Sequence, residues 1–317
     1  MTTSWAPSRL HVGLLHPGPT RAGRRFGGCG VMLQNPSVQV RVDPARTWSA
    51  QGPAAARALE FAMRFVEALP PEAIEPHQIT VEALPPEHCG FGSGTQLALA
   101  VTHALSVSIG DAEPDVCDLA RRVGRGRRSA IGIHGFQHGG FLVDGGKSRD
   151  DQIAPMVAHA AVPDRWRWLL LWPVDWTPIH GSREQTTFDQ WAPAPQHDRD
   201  TDALCRLLLL GMLPALKEAD FDAFSDSLYE YSSTAGEMYT ALQGGHFSSE
   251  FTADMITRLR RFEVKGCLQS SWGPLTAAVV RDEVHAQFVL KQFESSGINV
   301  LLTSTWNGSE TNKARVE

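Results

Sequence analysis

A chain of 317 residues, 42% hydrophobic and 20% charged, carries enough apolar material for two ordinary cores rather than one small domain. Its formal net charge of -6 excludes a chain-wide electrostatic case for binding nucleic acid or an anionic membrane. Five scattered cysteines without a Cys-x-x-Cys pair exclude a zinc knuckle, and with no bilayer-length apolar run and no signal-peptide shape at the N-terminus the expected compartment is the cytoplasm.

Residues 10–15 and 31–42 alternate as strands, separated by a glycine- and arginine-rich turn over 18–30. Helical periodicity over 54–69 runs through Leu59, Met63 and Val66, and Pro70-Pro71 stops it. A strand over 78–84, a helix from about Thr95 with almost no polar face, and a short helix over 115–123 follow. A short strand, 141–144, lies between Gly139-Gly140 and Gly145-Gly146 and leads to the end of an α+β unit, residues 1–155. The second unit, 156–317, opens with an apolar strand over 166–174. Residues 177–200 are polar, proline-containing and long enough for a lid or binding loop. Helices over 202–218, 221–243 and 248–262, a loop over 265–274, a strand over 275–280, a helix over 282–296 and a strand over 298–304 predict a second sheet covered by helices.

The chemistry concentrates in four segments. Pro85-Pro-Glu-His-Cys-Gly-Phe-Gly-Ser-Gly-Thr-Gln96 runs from a predicted strand into the buried helix. Gly90, Gly92 and Gly94 permit backbone angles closed to other residues, which lets consecutive N–H groups turn toward one ligand. Ser93 and Thr95 add hydroxyls, and the helix start adds about half a positive charge, so the order predicts an anion cradle for a phosphate. Arg9 and His11 together with Arg24 and Arg25 form the second segment, where guanidinium groups can grip phosphate oxygens in bidentate fashion. The third, residues 125–140, places arginines ahead of a short helix. The fourth, Gln269-Ser-Ser-Trp-Gly-Pro274, sets a tryptophan among hydroxyl and amide groups. Two look-alikes are set aside. His134 and His138 are four apart, but no Glu follows His134 and Gly139-Gly140 ends the helix; Gly146-Lys-Ser148 imitates the end of a P-loop, yet Phe141 stands five before Gly146, so a hairpin turn is expected. No Gly-x-Gly-x-x-Gly supports a Rossmann site.

These segments resemble the GHMP kinase superfamily, and within it the β-ribofuranosylaminobenzene 5′-phosphate synthase family. The resemblance covers most of the chain: Ser8-Arg-Leu-His-Val-Gly-Leu14, Gly27-Gly-Cys-Gly-Val-Met-Leu33, Gly92-Ser-Gly-Thr-Gln-Leu97, Gly139-Gly-Phe-Leu-Val-Asp-Gly-Gly146, Gln243-Gly-Gly245 and Gln269-Ser-Ser-Trp-Gly-Pro274. It implies an α+β GHMP kinase-like two-domain fold, with a ribosomal-protein-S5-domain-2-like N-terminal domain and a ferredoxin-like C-terminal domain. It further implies a decarboxylating phosphoribosyltransferase of tetrahydromethanopterin biosynthesis: the carboxylate-bearing carbon of 4-hydroxybenzoate or 4-aminobenzoate attacks the anomeric carbon of phosphoribosyl pyrophosphate, and pyrophosphate and carbon dioxide leave. On that basis Arg24, Arg25, Gln269, Ser270, Ser271 and Trp272 are the expected catalytic residues. Arg9, His11, Gly92, Ser93, Gly94, Thr95, Gln96, Arg128 and Ser129 are expected to bind substrate. Mg²⁺ is the expected cofactor, with Ser93 and Thr95 as its candidate ligands. The partners implied are small molecules, with neither nucleic acid nor membrane; a homodimer is left open.

The chain departs from the family pattern at Leu268, where a glycine is expected, at Ala130, also in place of a glycine, and at Cys29, in place of an aliphatic residue. Residues 180–200 match loosely. Two other readings stand beside the transferase: an ATP-dependent kinase using the same cradle, and a phosphosugar-binding homologue without chemistry. Superfamily kinases with an aspartate base carry Ser-Gly-Ile-Asp seven residues before a Gly-Gly pair. Here Ser129-Ala-Ile-Gly132 occupies that place, and the base position is glycine.

Overall fold

The computed structural model describes residues 1–20, 23–70, 73–176, 196–243, 245–293, 297–308 and 315–316. In chain order it forms β1 (Thr2–Pro19), β2 (Arg25–Pro44), β3 (Ser49–Gln51), α1 (Ala55–Glu67), β4 (His77–Ala83), α2 (Ser93–Ser108), α3 (Val116–Arg122), α4 (Ile131–His138), β5 (Phe141–Asp144), β6 (Met156–Ala160) and β7 (Arg167–Pro173). Next, α5 (Gln196–Arg206) passes through a π-helical stretch, Leu207–Met212, into α6 (Leu213–Glu218). The chain closes with α7 (Phe221–Glu237), α8 (Thr240–Gln243), α9 (Glu250–Arg261), β8 (Cys267–Gln269), β9 (Thr276–Val280), α10 (Glu283–Leu290), β10 (Ile298–Thr303) and β11 (Arg315–Val316).

Two sheets result. The first has the order β11-β1-β2-β4-β3, with β5 branching from β2 and β6 pairing with β5; the second is β10-β7-β9-β8. The second is antiparallel throughout. Alternation along β2 turns Val38, Val40 and Val42 onto α1 and α2, where Phe61, Phe65, Leu97 and Leu105 meet them. Helix α2 is packed by the first sheet and by α1, α3 and α4, which explains its missing polar face. Under the second sheet, Leu169, Leu171 and Val280 pack on Ile256, Leu259 and Val289. A third cluster, including Leu10, Phe91, Phe141, Trp168, Phe224 and Leu275, joins the two sheets into one continuous core. No helix among the described residues is long and apolar enough to cross a membrane.

Several predicted boundaries shift. Strands β1 and β2 are much longer than 10–15 and 31–42, and most of the turn expected over 18–30 is paired hairpin. The glycines read as a turn sit inside the ladder because the partner strand comes close: a Cβ on Gly28 would lie 2.5 Å from Gly13 O. Met156–Ala160, within the range expected for the second unit, extends the first sheet through β5, and Arg315–Val316 pairs with β1. Strands from beyond residue 155 therefore complete that sheet. The loop expected over 265–274 contains β8, an edge strand on β9. Of the expected lid over 177–200, residues 177–195 lie outside the described residues and 196–200 begin α5.

Candidate functional site

A cleft of about 1220 Å³ opens between the β1–β2 hairpin, the start of α2, the arginine-rich loop before α4, helices α7 to α9 and the Gln269–Pro274 loop. The loop into α2 behaves as its glycines require. Gly90 and Gly92 take φ of 124° and 70°, in the left-handed region that favours glycine. No side chain caps α2, and while Thr95 N bonds to Gly92 O at 3.0 Å, the amides of Ser93 and Gly94 are left for a ligand in the cleft that Ser93, Gly94 and Thr95 line. Gly92 has a second reason, because a Cβ there would stand 3.1 Å from the Nε of Arg9. Gly94 differs from expectation: it is helical, and its missing side chain makes room for Arg57, whose Cζ would lie 3.0 Å from a Cβ. Arg57, itself paired with Glu87 at 2.5 Å, lies over the first turn of α2.

Gln96 is not in the cleft. It is fully buried, and its Nε2 donates to Gly132 O at 2.8 Å, bracing α4 against α2. A Cβ on Gly132 would stand 3.0 Å from that same Nε2, so the position of the kinase base is both empty of carboxylate and closed by Gln96. Among the described residues the cleft carboxylates, Glu60 and Asp150, are paired with Arg64 and Arg25.

The expected Arg24–Arg25 clamp divides. Arg24 donates from Nε to Gly145 O and from Nη2 to Gly146 O, both at 2.8 Å, and so ties the hairpin tip to the turn after β5 without lining the cleft. Arg25 does line it, next to Asp150. Arg9 and Arg128 also line it, as does Ser129. The Ser129 hydroxyl is already engaged, donating to Asp144 Oδ2 at 3.1 Å and accepting from Ile131 N at 3.2 Å. Asp144 is fully buried and accepts Ala130 N at 2.9 Å and Gly146 N at 3.1 Å; burial raises its pKa against those hydrogen bonds. Lys147 donates from Nζ to Gly126 O, Arg127 O and Asp150 O at 3.1, 3.1 and 2.8 Å. The Gly146-Lys-Ser148 segment, expected as a hairpin turn, thus pins the arginine-rich loop. Of the two histidines set aside, His134 bonds from Nε2 with Ala154 O at 2.8 Å and the His138 ring lies 6.0 Å from that of His159.

The Gln269–Trp272 segment also divides. Ser270 is fully buried, donates to Gly90 O at 2.7 Å and accepts His11 N at 3.1 Å, so it joins the anion loop, β1 and β8. Gln269 accepts Ser248 N at 2.8 Å and donates to Ser271 O at 2.6 Å, holding Ser271 at φ 57°. Ser270 braces the loop without lining the cleft, whereas Gln269 braces the loop and also lines the cleft. Ser271 and Trp272 line the cleft, and the Trp272 ring meets Tyr239 edge-on at 5.8 Å. A Cβ on Gly273 would stand 2.6 Å from Gly90 N, so this loop and the anion loop are packed backbone to backbone. Leu268, the unexpected side chain, is fully buried in the core between the sheets and does not line the cleft. Ala130 and Cys29 are buried as well. Of Gln243-Gly-Gly245, Gly244 lies outside the described residues.

His11 sits at the meeting point of these loops with its Nε2 buried and without a hydrogen-bond partner. Burial first, then Arg9 and Arg128, holds its pKa well below the usual 6.5, so the ring is neutral at neutral pH. A folded-state pKa below the unfolded one means that the unfolded chain binds the proton more readily. The contribution is complete above about pH 6.5 and shrinks as the pH falls, by roughly 1.4 kcal/mol per unit. His103, His138 and His285 shift the same way. Thermal melts of wild type and His11→Gln at a series of pH values should show a shallower acid slope in the variant; identical slopes would contradict a buried neutral His11.

Sequence reasoning missed Arg57, Arg64 and Lys147. The first two occupy the polar face of α1 at a spacing of seven, which reads as ordinary solvated surface.

No family model matches the chain. It is 33% identical over 243 residues, 70% of this chain and 72% of the relative, to the beta-ribofuranosylphenol 5'-phosphate synthase of Archaeoglobus fulgidus. To the protein of the same name from Methanothermobacter thermautotrophicus it is 31% identical over 250 residues, 72% of this chain and 74% of the relative. The crystal structure of Methanococcus jannaschii mevalonate kinase superposes with a TM-score of 0.69 at 11% identity, covering 96% of this chain and 98% of that one. At that identity the likeness shows the fold alone, the two-domain α+β fold of GHMP kinases.

Proposed function

The chain belongs to the beta-ribofuranosylphenol 5'-phosphate synthase family, and from that premise we propose that it joins phosphoribosyl pyrophosphate to 4-hydroxybenzoate with loss of pyrophosphate and carbon dioxide. It is an enzyme of the pentosyltransferase type. The observation that carries the substrate reading is one cleft with two unlike walls. An uncapped helix start with Ser93, Thr95 and Arg9 forms one wall, and the Trp272 loop, packed against it through Gly273, forms the other.

The first wall takes the diphosphate. Backbone N–H groups at the start of α2, the two hydroxyls and the Arg9 and Arg128 guanidiniums are in place before the charge develops, which is where electrostatic stabilisation is most effective. Two hydroxyls, and cleft carboxylates already paired with arginine, suit a Mg²⁺ that takes most of its ligands from the diphosphate and water; Ser93 and Thr95 would complete its shell, and it would neutralise part of the leaving charge. On the second wall, Trp272 and Tyr239 offer aromatic surface to a flat acceptor and keep water from the cationic ring. The ring carbon bearing the carboxylate forms its bond to the anomeric carbon as the bond to the diphosphate oxygen breaks. The pair from the ring–carboxylate bond then returns to the ring as carbon dioxide leaves. No proton need be moved in that exchange, which agrees with a buried, neutral His11 and with glycine at the kinase-base position, Gly132.

We place the enzyme in the cytoplasm, acting on small molecules without nucleic acid or membrane; Cys29, Cys89, Cys117, Cys205 and Cys267 are all free thiols, which accords with a reducing compartment. The test is release of labelled carbon dioxide from carboxyl-labelled 4-hydroxybenzoate, dependent on phosphoribosyl pyrophosphate and Mg²⁺. Trp272→Ala should raise KM for the acid roughly tenfold or more, the loss expected from one aromatic contact with its buried area, and leave donor affinity nearly unchanged. Formation of ADP from ATP with an added alcohol would overturn the reading in favour of a kinase. Tight donor binding without carbon dioxide would leave a non-catalytic phosphosugar-binding protein.

A further inference from the structure

A second group of cations lies in the same cleft, beyond the residues that the family resemblance singles out. Arg57 and Arg64 on α1 and Arg125 and Arg127 in the loop before α4 all line it. The Arg125 guanidinium rests on the Phe61 ring, 4.7 Å from its centroid, and Arg57 lies over the same ring at 5.7 Å. Glu87 is 2.5 Å from Arg57, and Glu60 is 2.5 Å from Arg64. The Arg125 Nε is buried without a hydrogen-bond partner. Burial and the fields of Arg57, Arg64 and Arg127 push the Arg125 pKa down to about 10, with Glu60 offsetting them in part. Such a guanidinium carries a positive charge and a planar set of donors that its own surroundings repel, and an anion is what relieves it. The loop is also preformed, since Lys147 ties down its carbonyls at Gly126 and Arg127. Arg57 packs on the first turn of α2 at Gly94, so the cluster adjoins the anion cradle.

We propose that Arg57, Arg64 and Arg125 form a second anion subsite for a phosphate monoester dianion, which in the reaction above receives the 5′-phosphate of the sugar donor while the Gly92–Thr95 turn receives the diphosphate. The assignment of the donor rests on the proposed reaction; the monoester chemistry rests on the arginines. A phosphate monoester carries about -1.5 to -2 charges at neutral pH and three acceptor oxygens, a match for guanidiniums arriving from two elements. A donor held at both ends is fixed in direction, with its anomeric carbon facing the Trp272 loop.

Calorimetry with two separate probes tests this, ribose 5-phosphate for the monoester and inorganic pyrophosphate with Mg²⁺ for the cradle. Arg125→Gln should weaken ribose 5-phosphate by roughly 10- to 100-fold, the loss of one or more charge-assisted hydrogen bonds, and leave pyrophosphate within about twofold. Arg57→Gln should act in the same direction. Arg125→Lys, which keeps the charge without the fork, should fall between, and unchanged melting temperatures would exclude unfolding as the cause. Wild type that fails to bind ribose 5-phosphate, or an Arg125→Gln variant that loses both probes equally or neither, would overturn the subsite. Because neither probe requires turnover, arginine-dependent monoester binding without carbon dioxide release would leave the subsite standing and remove the reaction; the reverse pattern would do the opposite.

Discussion

Replacing Ser93 by alanine and Thr95 by valine together should lower kcat/KM for the sugar donor by roughly 10²- to 10⁴-fold. Each hydroxyl is expected to donate one charge-assisted hydrogen bond to the diphosphate, worth about 1.5–3 kcal/mol, and at about 1.4 kcal/mol per factor of ten the pair gives that range. Both residues lie in the first turn of α2, where Thr95 N–H bonds to Gly92 O at 3.0 Å and no side chain caps the helix, so removing the hydroxyls leaves the backbone turn intact. The loss should therefore appear in donor binding and turnover with the melting temperature held, and KM for the aromatic acid should move little. Steady-state kinetics with each substrate varied in turn will distinguish this from general damage. Donor kinetics unchanged in the double variant would remove the cradle from the mechanism.

Lys147→Met is expected to be the most damaging single substitution outside the walls of the cradle. The ammonium makes three hydrogen bonds to carbonyls, at Gly126, Arg127 and Asp150, and Lys147 is 2% exposed. Three charge-assisted bonds at about 1.5–3 kcal/mol each set a gross loss, from which the recovered cost of burying the ammonium must be subtracted. A net destabilisation of about 3–5 kcal/mol is expected, read from the shift in the urea midpoint. The loop carrying Arg125, Arg127 and Arg128 would lose its anchor at the same time, so KM for the donor should rise even where the protein remains folded. Equal stability with unchanged KM would show that the loop holds its shape without the lysine.

The residues that acted as predicted are those whose role is decided by near neighbours. Gly90 and Gly92 adopt the positive φ that their loop demanded, α1 ends before Pro70, and the apolar run before Val174 becomes β7. The short-range order of strand, glycine-rich loop and buried helix was likewise enough to point to an anion cradle, because its donors come from consecutive residues. Gln96, Ser270 and Arg24 read as ligand-facing polar groups, yet each is used to hold another loop. Their partners are Gly132, Gly90 and the Gly145–Gly146 turn, the most distant of them 180 residues away in sequence. The long β1–β2 hairpin was hidden for a related reason: a glycine inside a ladder and a glycine in a turn look alike until the approaching strand is known. Leu268, which stands where the family pattern has glycine, fills the core, since the face of β8 on which it lies depends on pairing with β9. By itself, then, the sequence determined the family and the conformation of the glycine loop ahead of α2. Tertiary structure alone decided which polar side chains face the cleft and which brace it, because a side chain with several possible partners takes its role from whatever the fold brings within hydrogen-bond distance.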